Sequence, residues 1–388
     1  MSPTQPPPSP PPVRAIDAFL AGPHTPEAVE AFIAGHKFPI VEGPAVTFVY
    51  RGEAEAIHLK HWVYGLPSSQ SLIRVEGTAL WYLVLEIPPN SRIEYKLEVV
   101  RGGHGEWRQD PLNPHRARDP FGANSVAHGA GYRVPDWTHP DPESALGTMD
   151  EVGFESRALG RRNLVLYLPA RYRKTRRYPL LVVHDGHDYL RYAATATILD
   201  NLIHRLEIPS MVVAFTSSSD RLREYANDER HASFIVEDLV PFLERRFPLE
   251  ARPQGRCLMG ASFGAVASLS TAWRHPGFFG RLLLQSGSFA FTDIGDRNHR
   301  GPVFDPVVSF MNQFRSRPRA VADRVFVSCG TYESLIYENR SLVPILTATG
   351  MDIRYVEAPD GHNWENWRDR LREGFSWLFP GPLLLMYE

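Results

Sequence analysis

The second half of the chain alternates continuously apolar runs with amphipathic stretches, and this alternation constrains the fold more than any other feature. The apolar runs are 163–169, 179–186, 211–216, 256–262, 281–287, 324–330 and 351–359. Among the amphipathic stretches, 364–378 places apolar residues at three- and four-residue intervals on one helical face. Apolar strands separated by helices are typical of a mostly parallel sheet covered on both faces. The sequence therefore predicts the α/β class for this half.

Residues 38 to 134 show an all-β pattern, in which runs rich in Val, Ile, Tyr and Trp are separated by Gly, Pro and Asn. The runs are 46–52, 56–62, 79–87 and 92–100. Strands at this spacing indicate a β-sandwich, and the turn-rich stretch 107–125 is expected to close it as an ordered loop. Ahead of the strands, Thr25 as cap, Pro26 at the first helical position and Gly35 as terminator predict a short helix.

The length of 388 residues favours at least two domains. Residues 1–14 are proline-rich and are expected to be disordered, because proline neither pairs in sheets nor fills helices. A helix and β-sandwich domain is predicted over 15–137, a polar linker over 138–148, and an α/β domain over 149–388.

The composition is that of an ordinary globular protein, with 43% hydrophobic residues, 22% charged residues and a formal net charge of −2. This balance argues against nucleic acid or a membrane surface as the main partner. No apolar run approaches the roughly 18–20 residues of a membrane span, and the N-terminus lacks the apolar core of a signal peptide. A soluble, cytoplasmic protein is expected. Cys257 and Cys329 lie in apolar runs, which predicts two reduced core thiols.

The string Gly260-Ala261-Ser262-Phe263-Gly264 is the sharpest chemical signal in the chain. It follows a predicted strand and opens a predicted helix, which is the setting that a nucleophile elbow requires. A serine on so sharp a turn crowds its neighbours, so the residues two before and two after it must lack side chains. The pattern predicts Ser262 as a nucleophile, whereas a plain Ser/Gly turn at a helix start is the structural alternative.

A serine nucleophile needs an adjacent base, which in this kind of fold is a histidine after the last strand. His362 follows the last predicted strand directly and is predicted to be that base. The carboxylate that orients its ring should follow the strand 324–330, where Glu333 is our prediction. Glu338 and Asp360 remain rivals for this role.

Acyl transfer also needs donors for the tetrahedral oxyanion. We expect the backbone N–H groups of Phe263, directly after the nucleophile, and of His187, in the polar cluster that follows the strand 179–186. For His184 and Asp185 of that cluster, hydrogen bonds that hold the loop are the favoured interpretation. The histidines are scattered, and neither a P-loop nor a G-x-G-x-x-G string follows a strand. No metal and no cofactor is therefore predicted.

With these residues in place, the chain resembles the enterochelin (enterobactin) esterase family, within the serine esterases of the α/β-hydrolase fold. The matching stretches are 178–189, 220–225, 259–265, 329–333 and 360–368. The N-terminal half is similar to the early-set, immunoglobulin-like domain that precedes the hydrolase in these esterases. The resemblance implies a catalytic Ser262, Glu333 and His362, and hydrolysis of the ester bonds in a cyclic catecholate trilactone siderophore, which releases iron.

A ferric tricatecholate is strongly anionic, so its esterase should offer basic groups near the nucleophile. On this basis we assign substrate binding to four basic residues, Arg191, Arg221, Arg223 and Arg340. We add Trp364 to this set. Asn363 stands where many relatives carry Asp, a departure that leaves the base in place.

Three functions remain open at this point. The first is a cytoplasmic siderophore esterase, and the second is an esterase for feruloyl, acetyl or other small acyl esters. The third is a non-catalytic binding protein, against which the complete set of triad candidates counts. Trp62, Trp81 and Trp107 offer such a protein a ligand platform, although aromatic residues in strands are more often core.

Overall fold

The computed structural model describes residues 13–295 and 301–382. Most of the predicted disordered tail, residues 1–12, lies outside them. The chain divides into two compact units. The first runs to Trp62 and takes in Leu66–Ala117 and Ala123–Arg133, and the second comprises Val63–Gly65, Arg118–Gly122 and the chain from Val134. Within the described ranges, no helix is both long and apolar enough to cross a membrane.

The first unit begins with two short helices. They are α1 (Ala15–Leu20) and α2 (Pro26–Ala34). Helix α2 is the predicted one: the Thr25 side chain accepts a hydrogen bond from the Ala28 N–H at 3.2 Å, and Gly35 ends the helix. Helix α1 was not predicted, because Arg14 ahead of it provides no side-chain cap.

Ten strands follow over residues 40–128, arranged in two sheets. They are β1 (Ile40–Glu42), β2 (Ala45–Arg51), β3 (Ala56–His61), β4 (Ser69–Ser71), β5 (Ile73–Arg74), β6 (Leu80–Glu86), β7 (Arg92–Arg101), β8 (His104–Arg108), β9 (Arg116–Asp119) and β10 (Gly122–His128). One sheet has the order β1-β2-β6-β5, and the other has the order β4-β3-β7-β10-β9 with β8 also paired to β7. The expectation of a loop over 107–125 is wrong. Strands β8 and β10 both pair with β7, and β9 pairs with β10, so strand pairing organises this stretch.

Apolar residues from both sheets form one core of this unit. Phe48, Trp81 and Tyr95 are buried there, whereas Trp62 and Trp107 are each 52% exposed. Trp81 is therefore a core residue. The helices α1 and α2 bury Ile16, Val29 and Phe32 in a second cluster with residues of β2 and β6. The two facing sheets make a sandwich, and its immunoglobulin-like character stays a prediction.

Among the residues that the structure describes, the second unit is built around eight strands. They are β11 (Thr148–Ser156), β12 (Gly160–Leu168), β13 (Leu180–Val183), β14 (Val212–Thr216), β15 (Arg256–Ala261), β16 (Arg281–Gln285), β17 (Arg324–Gly330) and β18 (Asp352–Ala358). The order is β11-β12-β14-β13-β15-β16-β17-β18. Strand β12 pairs antiparallel with both neighbours, and the pairs from β14 to β18 are parallel. The mostly parallel sheet was predicted. Of its strands, only β11 was not predicted, and it is an exposed strand at the edge of the sheet.

Helices cover both faces of this sheet. They are α3 (Gly186–Tyr192), α4 (Thr195–His204), α5 (Arg221–Glu224), α6 (Glu229–Ser233), α7 (Val240–Arg246), α8 (Phe263–Arg274), α9 (Asp305–Ser316), α10 (Ile336–Thr347) and α11 (Trp364–Leu378), with 3₁₀ turns at Asp136–Thr138 and Pro253–Gly255. Successive strand residues point to opposite faces, so Leu180 and Val182 belong to one core and Leu181 and Val183 to the other. The predicted helix 232–247 is interrupted by a π-helix over Phe234–Leu239.

The stretch predicted to be a linker is ordered and packs along α4. The Asn201 amide donates to the carbonyls of Trp137 at 2.9 Å and His139 at 2.8 Å, and Asp200 accepts from the Gly147 N–H at 2.8 Å. Residues 138–148 are thus attached to the α/β unit by buried polar contacts. The predicted domain limits stay predictions.

Candidate active site

Ser262 occupies the turn between strand β15 and helix α8, as the motif predicts. Its backbone has φ 57° and ψ −122°, a conformation that side-chain-bearing residues rarely adopt. The Ser262 N–H donates to the Gln285 carbonyl at 2.9 Å, which ties the turn to the end of β16. The side chain is half-buried. The turn thus presents the hydroxyl at the carboxyl end of the sheet.

The two motif glycines permit this turn for the steric reason inferred from the sequence. A Cβ on Gly260 would lie 2.4 Å from the Gly264 carbonyl carbon, and a Cβ on Gly264 would lie 3.2 Å from the His184 Cβ. The first of these distances cannot be relieved by a side-chain movement, because it involves backbone. Strand and helix can therefore approach this closely only with glycine at position 260, and a side chain at position 264 would have to displace His184.

His362 and Glu333 form a hydrogen-bonded pair after the last two strands. The Nδ1 of His362 lies 2.7 Å from the Glu333 Oε2, so Nδ1–H donates to the carboxylate. Glu333 is fully buried, whereas the His362 side chain is 38% exposed. Oε1 of Glu333 accepts from the Gly330 N–H at 2.7 Å and from the Ser286 hydroxyl at 2.6 Å. Because Nδ1 carries the proton, Nε2 of the neutral His362 ring can accept a hydrogen bond.

The two rivals for the carboxylate position lie elsewhere. Asp360 Oδ1 accepts from the Gly361 N–H at 2.7 Å and the Asn363 amide at 2.8 Å, so it closes its own turn. Glu338 is buried on helix α10. Glu333 is the carboxylate that the structure brings to the ring of His362.

The two predicted oxyanion donors occupy first helical turns. Phe263 is the first residue of α8 and His187 the second residue of α3, positions whose N–H groups have no acceptor within a helix. The strands that precede these helices, β13 and β15, are parallel neighbours, so both helix N-termini lie at the same edge of the sheet. Asp185 makes the turn into α3 with φ 52°. The arrangement places both amides on the side where Ser262 lies.

His184 belongs to a buried network beneath the turn. Its Nδ1 lies 3.0 Å from the Met259 carbonyl and 3.1 Å from the Ser268 hydroxyl, and its Nε2 lies 3.0 Å from Nε2 of His231. A carbonyl accepts, so Nδ1 carries the proton and Nε2 accepts from His231. Burial and the neighbouring His231 lower the pKa of His184 to about 3. The ring is neutral and holds the loop, which is the interpretation that the sequence favoured.

The network continues to a buried carboxylate that the sequence did not single out. His231 Nδ1 lies 3.8 Å from the Glu224 Oε2, and Oε1 accepts from Arg162 at 2.8 Å and from Ser219 at 3.0 Å. Burial opposes ionisation of Glu224, but its contacts with His231, the serine hydroxyls and Arg162 lower its pKa to about 2. His231 lies on a helix with no local motif, so no sequence signal pointed to it.

The predicted basic residues do not form one cluster. Arg221 binds both oxygens of Asp185 at 2.8–2.9 Å beside the loop that leads to His187. Arg340 binds both oxygens of Glu357 at 2.6 Å on the outer side of β18. Arg191 lies over the ring of Tyr192 at 5.3 Å, and Arg223 is exposed on α5. Two of the four guanidinium groups are therefore already paired with carboxylates.

Trp364 lies in an aromatic cluster next to the histidine loop. Its ring makes edge contacts with Tyr189 at 5.2 Å and Trp367 at 4.7 Å, and Tyr192 lies at 5.9 Å. Trp367 in turn contacts the ring of His362 at 5.1 Å, edge to face. Its indole N–H donates to Ser286, the residue that also supports Glu333. Trp367 and Ser286 were missed as site residues, because the sequence marked the former only as a helix-face residue.

Within 13–295 and 301–382, no group of three or more His, Cys, Asp or Glu side chains is arranged to hold a metal ion. Cys257 and Cys329 are both free and buried.

An α/β sheet that presents a serine on a strained strand-to-helix turn, with a histidine–carboxylate pair after its last two strands at the same sheet edge, defines an esterase-like α/β protein. The family model described as "Putative esterase" matches residues 156–378. The chain belongs to this esterase family.

Individual relatives extend the likeness beyond the α/β unit. An iron(III) enterobactin esterase of Dickeya dadantii is 26% identical over 80% of this chain and 80% of that protein. An uncharacterized protein of Bacillus subtilis, YjcH, is 32% identical over 36% of this chain, and the chain spans 62% of its length. The enterobactin esterase of Shigella flexneri, crystallised in the presence of enterobactin, has a TM-score of 0.74 at 20% identity, covering 90% and 97% of the two chains. The resemblance inferred from the sequence is confirmed.

Proposed function

We propose that this chain is a serine carboxylic-ester hydrolase that acts through an acyl-enzyme. Ser262 is the nucleophile, His362 the general base and acid, and Glu333 the carboxylate that orients the histidine. The observation that carries the proposal is the 2.7 Å contact between the buried Glu333 and His362, at the same sheet edge as the strained Ser262 turn. Such a constellation serves acyl transfer on unrelated folds.

In the first half-reaction, Ser262 Oγ bonds to the ester carbonyl carbon while its proton moves to Nε2 of His362. Glu333 keeps the proton on Nδ1 and stabilises the imidazolium that forms. The carbonyl electron pair moves to oxygen, which accepts from the backbone N–H groups of Phe263 and His187. The tetrahedral intermediate then expels the alcohol oxygen, which takes the proton from His362 and leaves an acyl group on Ser262.

In the second half-reaction, water replaces the alcohol. His362 takes a proton from the water as it bonds to the acyl carbon, and returns that proton to Ser262 Oγ when the acid departs. Glu333 keeps its contact with Nδ1–H of His362 throughout and is itself held by hydrogen bonds from the Gly330 N–H and the Ser286 hydroxyl. The free serine is thereby restored.

As substrate we propose a catecholate trilactone siderophore, whose ring opening would release iron in the cytoplasm. The likeness to iron(III) enterobactin esterases over most of both chains supports this choice. The half-buried aromatic rings of Trp364 and Tyr192 offer surfaces on which catechol rings can pack. Arg191, which lies over Tyr192, and the exposed Arg223 supply positive charge for the anionic complex.

A second candidate function is hydrolysis of feruloyl, acetyl or other small acyl esters. The pairing of Arg221 with Asp185 and of Arg340 with Glu357 favours it, because these cations are already neutralised. The catalytic groups would be the same. A non-catalytic binding protein is disfavoured, since it would have no need of the strained serine and the buried carboxylate.

The test compares wild type with Ser262→Ala on a ferric catecholate trilactone and on a short-chain p-nitrophenyl ester. We expect wild type to give linear trimer, dimer or monomer, seen by chromatography with mass detection, and Ser262→Ala to give none above background. Ser270→Ala, which removes a buried hydroxyl on α8 outside the proposed triad, is the matched control. An intact trilactone alongside a cleaved p-nitrophenyl ester would favour the second function. Failure on both substrates would overturn the hydrolase.

A further inference from the structure

The loop that follows strand β16 contacts two of the three proposed catalytic residues, although it carries none of them. The Gln285 carbonyl accepts from the Ser262 N–H at 2.9 Å, and the Ser286 hydroxyl donates to Glu333 at 2.6 Å. The hydroxyl of Ser288 lies 3.1 Å from that of Ser262. The loop 285–288 therefore touches the nucleophile and its distant carboxylate together.

Ser288 is held against Ser262 by both main chain and side chain. Its backbone N–H donates to the Ser262 carbonyl at 3.2 Å, and its side chain is only 3% exposed. The contact thus joins the buried hydroxyl of Ser288 to the half-buried hydroxyl of Ser262.

The conformation of the loop fixes Ser288 in this position. Ser286 adopts φ 43° and its N–H donates to the Ser328 carbonyl at 2.7 Å. The side chain of Asn339 binds both backbone groups of Gly287, at 2.9 Å and 3.2 Å. A Cβ on Gly287 would lie 2.1 Å from the Phe289 ring, so only glycine fits there. A strained loop with this many restraints is preorganised.

The chemistry of attack decides which hydroxyl is the donor. Ser262 Oγ has one proton and two lone pairs. When that proton moves to His362, the contact can persist only if Ser288 donates its own proton to Oγ. At the same moment Oγ gains negative charge, and a fixed donor aimed at developing charge lowers the barrier.

We propose that Ser288 is a further catalytic residue, whose hydroxyl donates a hydrogen bond to Ser262 Oγ while charge develops on that oxygen. This inference rests on the proposed function, because it needs Ser262 as the nucleophile. Ser288 keeps its proton throughout. It assists both when the Oγ–carbon bond forms and, by reversal, when that bond breaks in deacylation.

The test measures the nucleophilicity of Ser262 directly. Phenylmethanesulfonyl fluoride sulfonylates an activated serine with loss of fluoride, and its second-order rate constant needs no natural substrate. We expect Ser288→Ala to lower this rate constant, and kcat on a p-nitrophenyl ester, by about tenfold to a hundredfold. KM and Tm should stay near the wild-type values. Ser288→Thr, which keeps a hydroxyl, should recover most of the rate.

Ser270→Ala is again the matched control, since Ser270 is also 3% exposed and its hydroxyl donates to a helix carbonyl at 3.3 Å. It should react like wild type. If Ser288→Ala fails to fold, Ser288→Gly removes the same hydroxyl. A hydroxyl-free variant that reacts within threefold of wild type overturns the inference alone. Absence of sulfonylation in wild type, or its persistence in Ser262→Ala, overturns the proposed function and this inference with it.

Discussion

At the scale of single residues, the carboxylate proposed for catalysis is identified by which side chain reaches His362. Glu333, Glu338 and Asp360 all follow late strands, and spacing alone left the rivals open. The structure separates them by their partners. Glu333 contacts the ring, whereas Asp360 is bound to the backbone and side chain of its own turn.

We expect Glu333→Gln to lower kcat by about a thousandfold with little change in KM. A neutral amide no longer stabilises the imidazolium, and its NH₂ group can select the wrong tautomer of His362. Steady-state kinetics on an ester that wild type cleaves provides the measurement. Asp360→Asn keeps an acceptor for its turn and should lose no more than a few-fold. A larger loss in Asp360→Asn than in Glu333→Gln would assign the carboxylate role to Asp360.

At the scale of elements, the sheet edge that carries the proposed site rests on the packing of β13, α6 and α8. His184 at the end of β13 binds the Met259 carbonyl of β15, the Ser268 hydroxyl of α8 and the His231 ring of α6. One neutral imidazole thus joins three elements. Because protonation of His184 would remove its acceptor for His231, the packing is sensitive to acid.

The stability of the fold should therefore fall as the pH drops below about 6.5. The pKa of His184 is about 3 in the folded state and about 6.5 in an unfolded chain. Between these values the unfolded chain binds the additional proton. The stabilisation is complete above about pH 6.5 and is lost as the pH falls towards 3, by at most ~1.4 kcal/mol per pH unit.

Urea unfolding at pH 7, 6 and 5 measures this dependence. His184→Asn should be less stable at pH 7, and its stability should depend less on pH than that of wild type. Glu224 does not contribute to this pH dependence. Its pKa is about 2 in the folded state, so the stability that it provides is lost only when the pH falls below the ordinary pKa of a glutamate. His104→Asn, at an exposed position, should retain the wild-type slope. Equal slopes in wild type and His184→Asn would contradict the assignment.

At the scale of the whole molecule, the central sheet of the second unit is buried on both faces by helices. Cys257 on β15 and Cys329 on β17 report on this burial, since neither is more than 1% exposed. Burial raises the pKa of Cys257 to about 12 and raises that of Cys329 as well. Both thiols are therefore protonated and out of reach of reagents in the folded protein.

We expect neither thiol to react with Ellman's reagent in native buffer at pH 8, and both to react in denaturant. The reaction has to await opening of the sheet, so its rate should follow the unfolding rate as urea is raised. Cys257→Ala and Cys329→Ala assign the two thiols separately. Fast labelling of either cysteine without denaturant would show that the sheet is less well covered than described.

Much of this architecture follows from local sequence. The burial of consecutive residues on both faces of a central strand requires a continuous apolar run, so 180–183 and 256–261 were recognisable as strands. Ser262 was recognisable because its turn excludes side chains at Gly260 and Gly264. Strand β11 was missed because it lies at the exposed edge, where polar residues are tolerated.

The sequence by itself determined the alternation of strands and helices, the sharp turn at Ser262 and the positions at which a histidine and a carboxylate follow the last strands. Only the tertiary structure decided that Glu333 is the carboxylate at His362, that His231 lies against His184, that Ser288 touches Ser262, and that Arg221 and Arg340 are already paired. The reason is physical. Local periodicity reports which positions are buried, whereas the partner of a polar group is set by elements that are distant in the chain and meet only when the sheet is assembled.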